Sequence, residues 1–208
     1  MSQDGLVESG SVPDDTFGSH KQRVSPTGDA FSYFLSGRQA DPLNTAGSRV
    51  TGGRYNAPEE FPEAHEMLYL AENTAVAHAE ARVISVVSVP GGGVLIQPGH
   101  ADLPRLDVCV HLRLGALLDL TDPQVLQELG LSAADLMREW FPLNRQGQLA
   151  TTQRLAFEAR QTGRFDALLY PSARFPGGRN YAVYPEHVPP EHRALHDPEG
   201  EVQVFQRP

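Results

Sequence analysis

The stretch GGRYNAPEEFPEAHEMLYLAENTAVAHAEAR, residues 52–82, decides how the rest of the chain is read. It sets Arg54 directly after two glycines, Tyr69 inside the short apolar run MLYLA, and Glu80 inside an alanine-rich segment. Adjacent glycines give the backbone conformations closed to other residues, so the arginine that follows can approach a ligand closely. A guanidinium presents a planar fork of donors that suits an anion. Met67 to Ala71 reads as a strand, and Asn73 or Thr74 can cap a helix over Ala75 to Arg82. Glu80 then falls near the last helical turn, where a carboxylate meets the negative end of the helix dipole and calls for a cationic partner. Each feature also has an ordinary reading: a tight turn, a core tyrosine, a solvated glutamate.

Upstream, residues 1 to about 28 are rich in Ser, Gly, Asp and Pro and poor in large apolar residues, the composition of a mobile tail. A single domain is expected over residues 29–208. The cluster Phe31, Tyr33, Phe34 and Leu35 reads as its first core segment. It leads Arg38 into the loop GRQADPLNTAGSRVTGG, residues 37–53, which also holds Arg49. Long ordered loops in compact domains usually carry function.

Downstream, Val83 to Val89 reads as a strand, and Leu106 to Leu112 alternates strictly between apolar and polar positions, the mark of a half-buried strand. Thr121 or Asp122 caps a helix closed by Gly130, Ser132 with Asp135 opens another running to Trp140, and a third spans Thr152 to Thr162. FDALLYPS and NYAVYPE read as strands around a Gly-rich turn, and VQVF near the end reads as an edge strand. The segment PSARFPGGRN presents a hydroxyl, Ser172, two arginines, Arg174 and Arg179, and Asn180 in one turn. It is either a surface hairpin or a second wall of the pocket that Arg54 serves. Convergence of two or more of the loop arginines would suit a pyrophosphate.

Composition narrows the classes. Lys and Arg number 17 against 26 Asp and Glu, and the net charge of -9 argues against sequence-independent attraction to a nucleic-acid backbone. Cys109 is the only cysteine of the 208 residues, so there is neither an internal disulfide nor a Cys-clustered zinc site, and a reducing compartment is expected. No apolar run is long enough to cross a bilayer and the first residues lack signal-peptide character, so the expected location is cytoplasmic. P-loop, dinucleotide-fingerprint, HExxH and GxSxG signatures are absent. His192 and His196 have a spacing that could share a metal on a helix, but no third ligand accompanies them.

In chain order, Arg54 in GGRYN, Tyr69 in LYLAE, Glu80 in AHAEAR and Ser172 in LLYPSAR resemble the signature of the RES domain family, the toxins of Xre–RES toxin–antitoxin modules. The likeness runs from about Phe31 to Val188 and includes LDLTDP and GGRNYAVYPE. It implies an α+β fold like that of the ADP-ribosyltransferases, with two packed β-sheets flanked by helices and NAD in the cleft between them. It also implies cleavage of the nicotinamide–ribose bond, with ADP-ribose passed to water, phosphate or a protein. NAD is then a substrate, and no separate cofactor or metal is required.

On this resemblance Glu80 stabilises the charge that builds on the ribose as nicotinamide leaves. Arg54 binds the pyrophosphate together with an upstream arginine, best matched by Arg38 with Arg49 competing. Tyr69 offers its face to the cationic nicotinamide. Ser172 bonds the ribose or a phosphate and helps orient Glu80, and Asn180 is a further donor to the ligand. The implied partner is an Xre-type antitoxin that obstructs the active site, with neither direct nucleic-acid binding nor a membrane; a homodimer stays open. Two alternatives stand beside the NAD-degrading toxin: a mono-ADP-ribosyltransferase acting on a protein, and a non-catalytic nucleotide-binding module.

Overall fold

The computed structural model describes residues 17–23, 43–91, 93–99 and 106–196. In chain order the elements are β1 (Phe17–Arg23), α1 (Ala46–Thr51), β2 (Leu68–Ala71), α2 (Thr74–Glu80), β3 (Ile84–Val89), β4 (Gly93–Pro98), β5 (Leu106–Leu112) and β6 (Leu117–Asp119). There follow α3 (Pro123–Glu128), α4 (Ala133–Met137), α5 (Phe141–Asn144), α6 (Thr151–Gln161), β7 (Ala167–Pro171), β8 (Arg179–Val183) and β9 (Arg193–His196). The result is a mixed α+β architecture of sheets flanked by helices. Seven strands form one sheet in the order β6-β7-β8-β2-β1-β5-β9, while β3 and β4 form a separate two-stranded ribbon. Among the described strands only β6 and β7 pair in parallel.

Alternation along the strands gives the large sheet two apolar faces. Met67, Leu118, Leu168, Tyr170, Ala182 and Tyr184 belong to one core cluster, completed by Leu155, Ala156 and Ala159 of α6. Their neighbours Leu68, Leu117, Leu169, Tyr181 and Val183 belong to a second cluster. A sheet buried on both faces needs apolar residues at consecutive positions, and ALLYP in β7 and LYLA in β2 supply them.

The helix starts follow their caps. Asn73 accepts from the Val76 N–H at 3.0 Å, Asp122 accepts from the Gln124 N–H at 2.8 Å, and Ser132 and Asp135 form a reciprocal capping pair. One helix end departs from expectation. The helix opened by Ser132 stops at Met137 instead of reaching Trp140, and Arg138 is extended with φ −58° and ψ 143°. Pro142, which has no N–H, could not have bonded back to the Arg138 carbonyl, so continuing the helix would have left that oxygen unpaired. The chain instead starts again as α5.

Other differences concern elements with weak signals. Residues 17–23 lie inside the stretch expected as a mobile tail, yet they form β1, paired along its whole length with β5. FGSHKQR has little apolar content; what the strand supplies is a backbone that completes the ladder between β2 and β5. The loop 37–53 contains the helix α1. His192 ends a 3-10 turn and His196 lies on β9, so the two do not share a helix face. Arg38, the Phe31 cluster and VQVF lie outside the described residues. No described helix is long and apolar enough to cross a membrane.

Candidate active site

Strand order brings three distant pieces to one end of the sheet. β2 and β8 pair so that Ala71 faces Asn180, and β7 and β8 pair so that Tyr170 faces Asn180 on the other side. The chain therefore leaves β2 toward α2, leaves β7 at Ser172 and enters β8 at Arg179 and Asn180, all at the same end of the sheet. The β7–β8 turn is drawn down onto α2 by Gly178. A Cβ there would lie 2.7 Å from the Val76 side chain and 3.2 Å from the Phe175 carbonyl, so only glycine allows this approach.

That approach places Glu80, the last residue of α2, against the turn. One oxygen of its carboxylate, Oε1, accepts from the Ser172 hydroxyl at 2.7 Å and from the Asn180 amide at 2.9 Å. The other, Oε2, lies 3.8 Å from Arg174 Nε. Ser172 is itself fixed, because its oxygen accepts from the backbone N–H groups of Phe175 (2.9 Å) and Arg174 (3.1 Å). Ser172 and Asn180 are buried while about a third of the Glu80 side chain is exposed. A carboxylate is thus held in one orientation from the protein side and left open on the other. The cationic partner demanded by its place at a helix C-terminus is Arg174.

The helix end beside it is strained. Val83 N–H bonds the His78 carbonyl and Arg82 N–H bonds the Ala79 carbonyl, the two bonds of a helix-terminating motif whose left-handed position normally holds glycine. Here that position is Arg82, with φ +59°. Left-handed backbone in a residue with a Cβ is a cost that clusters near functional groups.

The GGRYN turn forms the second half of the site. Gly53 has no room for a side chain, since a Cβ would sit 2.6 Å from the Tyr69 hydroxyl. That hydroxyl donates to Asn56 Oδ1 at 2.7 Å and accepts from the Tyr55 N–H at 3.0 Å. Burial pushes the Tyr69 phenol above its ordinary pKa, so it keeps the proton that it donates to Asn56. Asn56, fully buried, donates to the carbonyls of Ser48 and His65 and so ties the turn to α1 and to the segment before β2. Arg54 is half-buried, and one of its terminal nitrogens, Nη1, donates to the carbonyls of Leu136 (2.6 Å) and Arg138 (2.9 Å) at the end of α4. The fork expected to bind a pyrophosphate is therefore anchored in part, through Nη1.

The two halves meet around Tyr170, the strand residue two before Ser172. Its ring lies 4.4 Å from that of Tyr55, the residue after Arg54. Burial raises the Tyr170 phenol well above its ordinary pKa, with Tyr69, Tyr55 and Glu80 adding to the rise and Arg54 opposing it. All five groups thus share one electrostatic neighbourhood. A cavity of about 630 Å³ lies nearby, walled by Leu120, Leu126, Leu131, Leu136 and Pro171; it touches the site through the neighbours of Ser172 and Arg54, and none of Arg54, Tyr69, Glu80, Ser172 and Asn180 lines it.

Of the residues singled out in the sequence, Glu80, Ser172 and Asn180 are in direct contact, while Arg54 and Tyr69 share the neighbouring turn. Arg49 is exposed in the last turn of α1. Asn180, expected as a donor to the ligand, spends its amide on Glu80. Tyr69, expected to present its ring, also anchors the turn through its hydroxyl. Sequence reasoning missed Asn56, Gln153 and Asn144; Asn56 lay within the quoted GGRYN, but the other two sit in ordinary helical sequence without any local signal.

No curated protein matches the sequence significantly. Among solved structures, the crystal structure of the M. tuberculosis MbcT-MbcA toxin-antitoxin complex contains a chain similar in fold, with TM-score 0.57 and 18% identity over 90% of this chain and 85% of that one. The architecture is the mixed α+β one, sheets flanked by helices, that the resemblance implies. The model of the RES domain matches residues 23–204, seven-eighths of the sequence, and the chain belongs to the RES domain family.

Proposed function

We propose that the protein is the toxin of a toxin–antitoxin module and consumes NAD by cleaving its nicotinamide–ribose bond. The single observation that carries the reading is the Glu80 carboxylate, fixed by Ser172 and Asn180 on one oxygen and open to solvent beside Arg174. Departure of nicotinamide leaves positive charge on the ribose, and a carboxylate held in place beforehand stabilises that charge without reorganising. Arg54 engages the pyrophosphate through the donors that Leu136 and Arg138 do not occupy. The apolar cavity beside Pro171 and Leu136 suits an aromatic base. ADP-ribose then passes to water or phosphate; transfer to a protein is the second enzymatic reading, and the one-third exposure of Glu80 leaves room for an acceptor. An antitoxin of the Xre type is the expected partner, held against the open side of this site.

The test is a time course of NAD with the purified, antitoxin-free chain, resolving the products. Free nicotinamide with ADP-ribose or its 1″-phosphate supports the reading and assigns the acceptor. Label appearing on a protein selects the transferase. NAD left intact across varied phosphate, with binding but without turnover, leaves the non-catalytic module.

A further inference from the structure

The carbonyl oxygens of the GGRYN turn are taken up by two adjacent side chains of α6. Thr152 Oγ1 donates to the Arg54 carbonyl at 2.6 Å. Gln153 Nε2 donates to the carbonyls of Gly53 (2.8 Å) and Asn56 (3.2 Å). Both residues are buried, Gln153 completely. Gln153 is held in turn by a reciprocal amide pair with Asn144 of α5, each amide donating to the other at 2.8 Å. Its oxygen also accepts the Ala150 N–H at 3.0 Å, which caps its own helix. Thr152, Gln153 and Asn144 thus join α5 and α6 to the backbone on both sides of Arg54, nearly 100 residues away in sequence.

A hydrophobic anchor would not serve here, because it would leave the carbonyls of Gly53, Arg54 and Asn56 without these donors. Buried polar groups are costly unless every partner is present, and here the amide pair is satisfied by the turn itself. The direction of the Arg54 side chain follows from this arrangement. Thr152 pins its carbonyl and the carbonyls of Leu136 and Arg138 pin its Nη1, so the residue is fixed at both its backbone and its tip.

We propose that Thr152 and Gln153 are positioning residues, which set the affinity of the site for its anionic substrate by fixing the backbone from which Arg54 projects. This rests on the reading of Arg54 as a pyrophosphate ligand. The experiment uses Thr152→Val, which removes one hydroxyl at nearly constant shape, with Thr152→Ser as the conservative variant and Gln153→Met as the stronger perturbation. ADP-ribose binding is measured by calorimetry, and KM and kcat for NAD are measured on each variant with its melting temperature.

Loss of one buried hydrogen bond in the support should weaken ADP-ribose binding and raise KM by about threefold to tenfold with kcat within about twofold. Thr152→Ser should restore wild-type values. In an Arg54→Ala background, Thr152→Val should change affinity no further. A folded Thr152→Val protein that binds ADP-ribose as the wild type does, or whose loss of affinity persists in full without Arg54, overturns the inference while leaving the NAD reading standing. Wild-type protein that binds neither ADP-ribose nor NAD overturns both. Should Gln153→Met not fold, the Thr152 series alone decides.

Discussion

Replacing Asn180 by aspartate keeps the shape of the side chain and changes one donor into a second carboxylate. In the native chain the Asn180 amide lies 2.9 Å from Glu80 Oε1, and Asn180 is 3% exposed. The variant loses a hydrogen bond to a charged acceptor, a contribution of about 1.5–3 kcal/mol. It also sets two like charges about 4 Å apart, which costs ~4 kcal/mol at an effective dielectric of about 20. The carboxyls avoid most of that repulsion by sharing a proton, so one of them titrates well above its ordinary range. Solvent at the open third of Glu80 screens part of the remainder. The net loss expected near neutral pH is about 2 kcal/mol.

The sign of the pH dependence follows. A carboxyl whose folded pKa is raised stabilises the fold fully below its unfolded pKa, and that stability is lost as pH rises through the folded value. The variant should therefore match the wild type only below about pH 4, where the shared proton restores a donor, and fall progressively behind it as pH rises towards about 7.5. Urea denaturation of both proteins across this range measures the difference, with nicotinamide release from NAD followed in parallel. In a Glu80→Gln background the penalty should disappear. An Asn180→Asp protein as stable as the wild type at neutral pH, or equally impaired at both ends of the range, would refute the proposed coupling of Asn180 to Glu80.

Three further outcomes are expected. Gly178→Ala places a Cβ 2.7 Å from Val76 and should destabilise by about 1–3 kcal/mol, because turn and helix must separate; a thermal melt identical to the wild type would contradict it. Arg82→Gly relieves the left-handed backbone at the end of α2 and should stabilise by about 0.5–1 kcal/mol in urea unfolding, whereas a loss of stability would show that the strain is absent. Burial holds the buried His65 below its ordinary pKa, and its ring sits among Phe157 and Tyr184 with Nε2 unpartnered. Its contribution is complete above about pH 6.5 and declines as pH falls below that, by up to ~1.4 kcal/mol per pH unit. His65→Phe should flatten this part of the acid limb of the stability curve; an unchanged limb would exclude His65 as a cause.

What was legible in the sequence were features that act locally. Asn73, Asp122 and Ser132 mark helix starts because the cap lies within three residues of the groups it serves. The alternation of β5 and the unbroken apolar runs of β2 and β7 announce strands that face one core or two. Glu80 stood out because its place at a helix end demanded a partner, and the partner, Arg174, lay in the turn already paired with it. β1 was hidden because the sequence FGSHKQR is poor in the apolar and β-branched residues on which strand propensity rests. The early stop of α4 follows from Pro142, but the donor that takes up the freed Leu136 and Arg138 carbonyls, the Arg54 guanidinium, comes from across the fold and left no local mark. Gln153 and Asn144 carried no signal at all, since a glutamine and an asparagine in short helices acquire a role only when folding brings the GGRYN turn onto them.

The reading of the site stands or falls on Glu80. The direct measurement is nicotinamide release from NAD by the purified, antitoxin-free protein and by Glu80→Gln, with both shown to be folded and to bind ADP-ribose. The account predicts turnover by the wild type and a loss of about 10²–10³ in kcat for Glu80→Gln, as removal of a preorganised charge at the transition state requires. Turnover that survives intact in Glu80→Gln would contradict it.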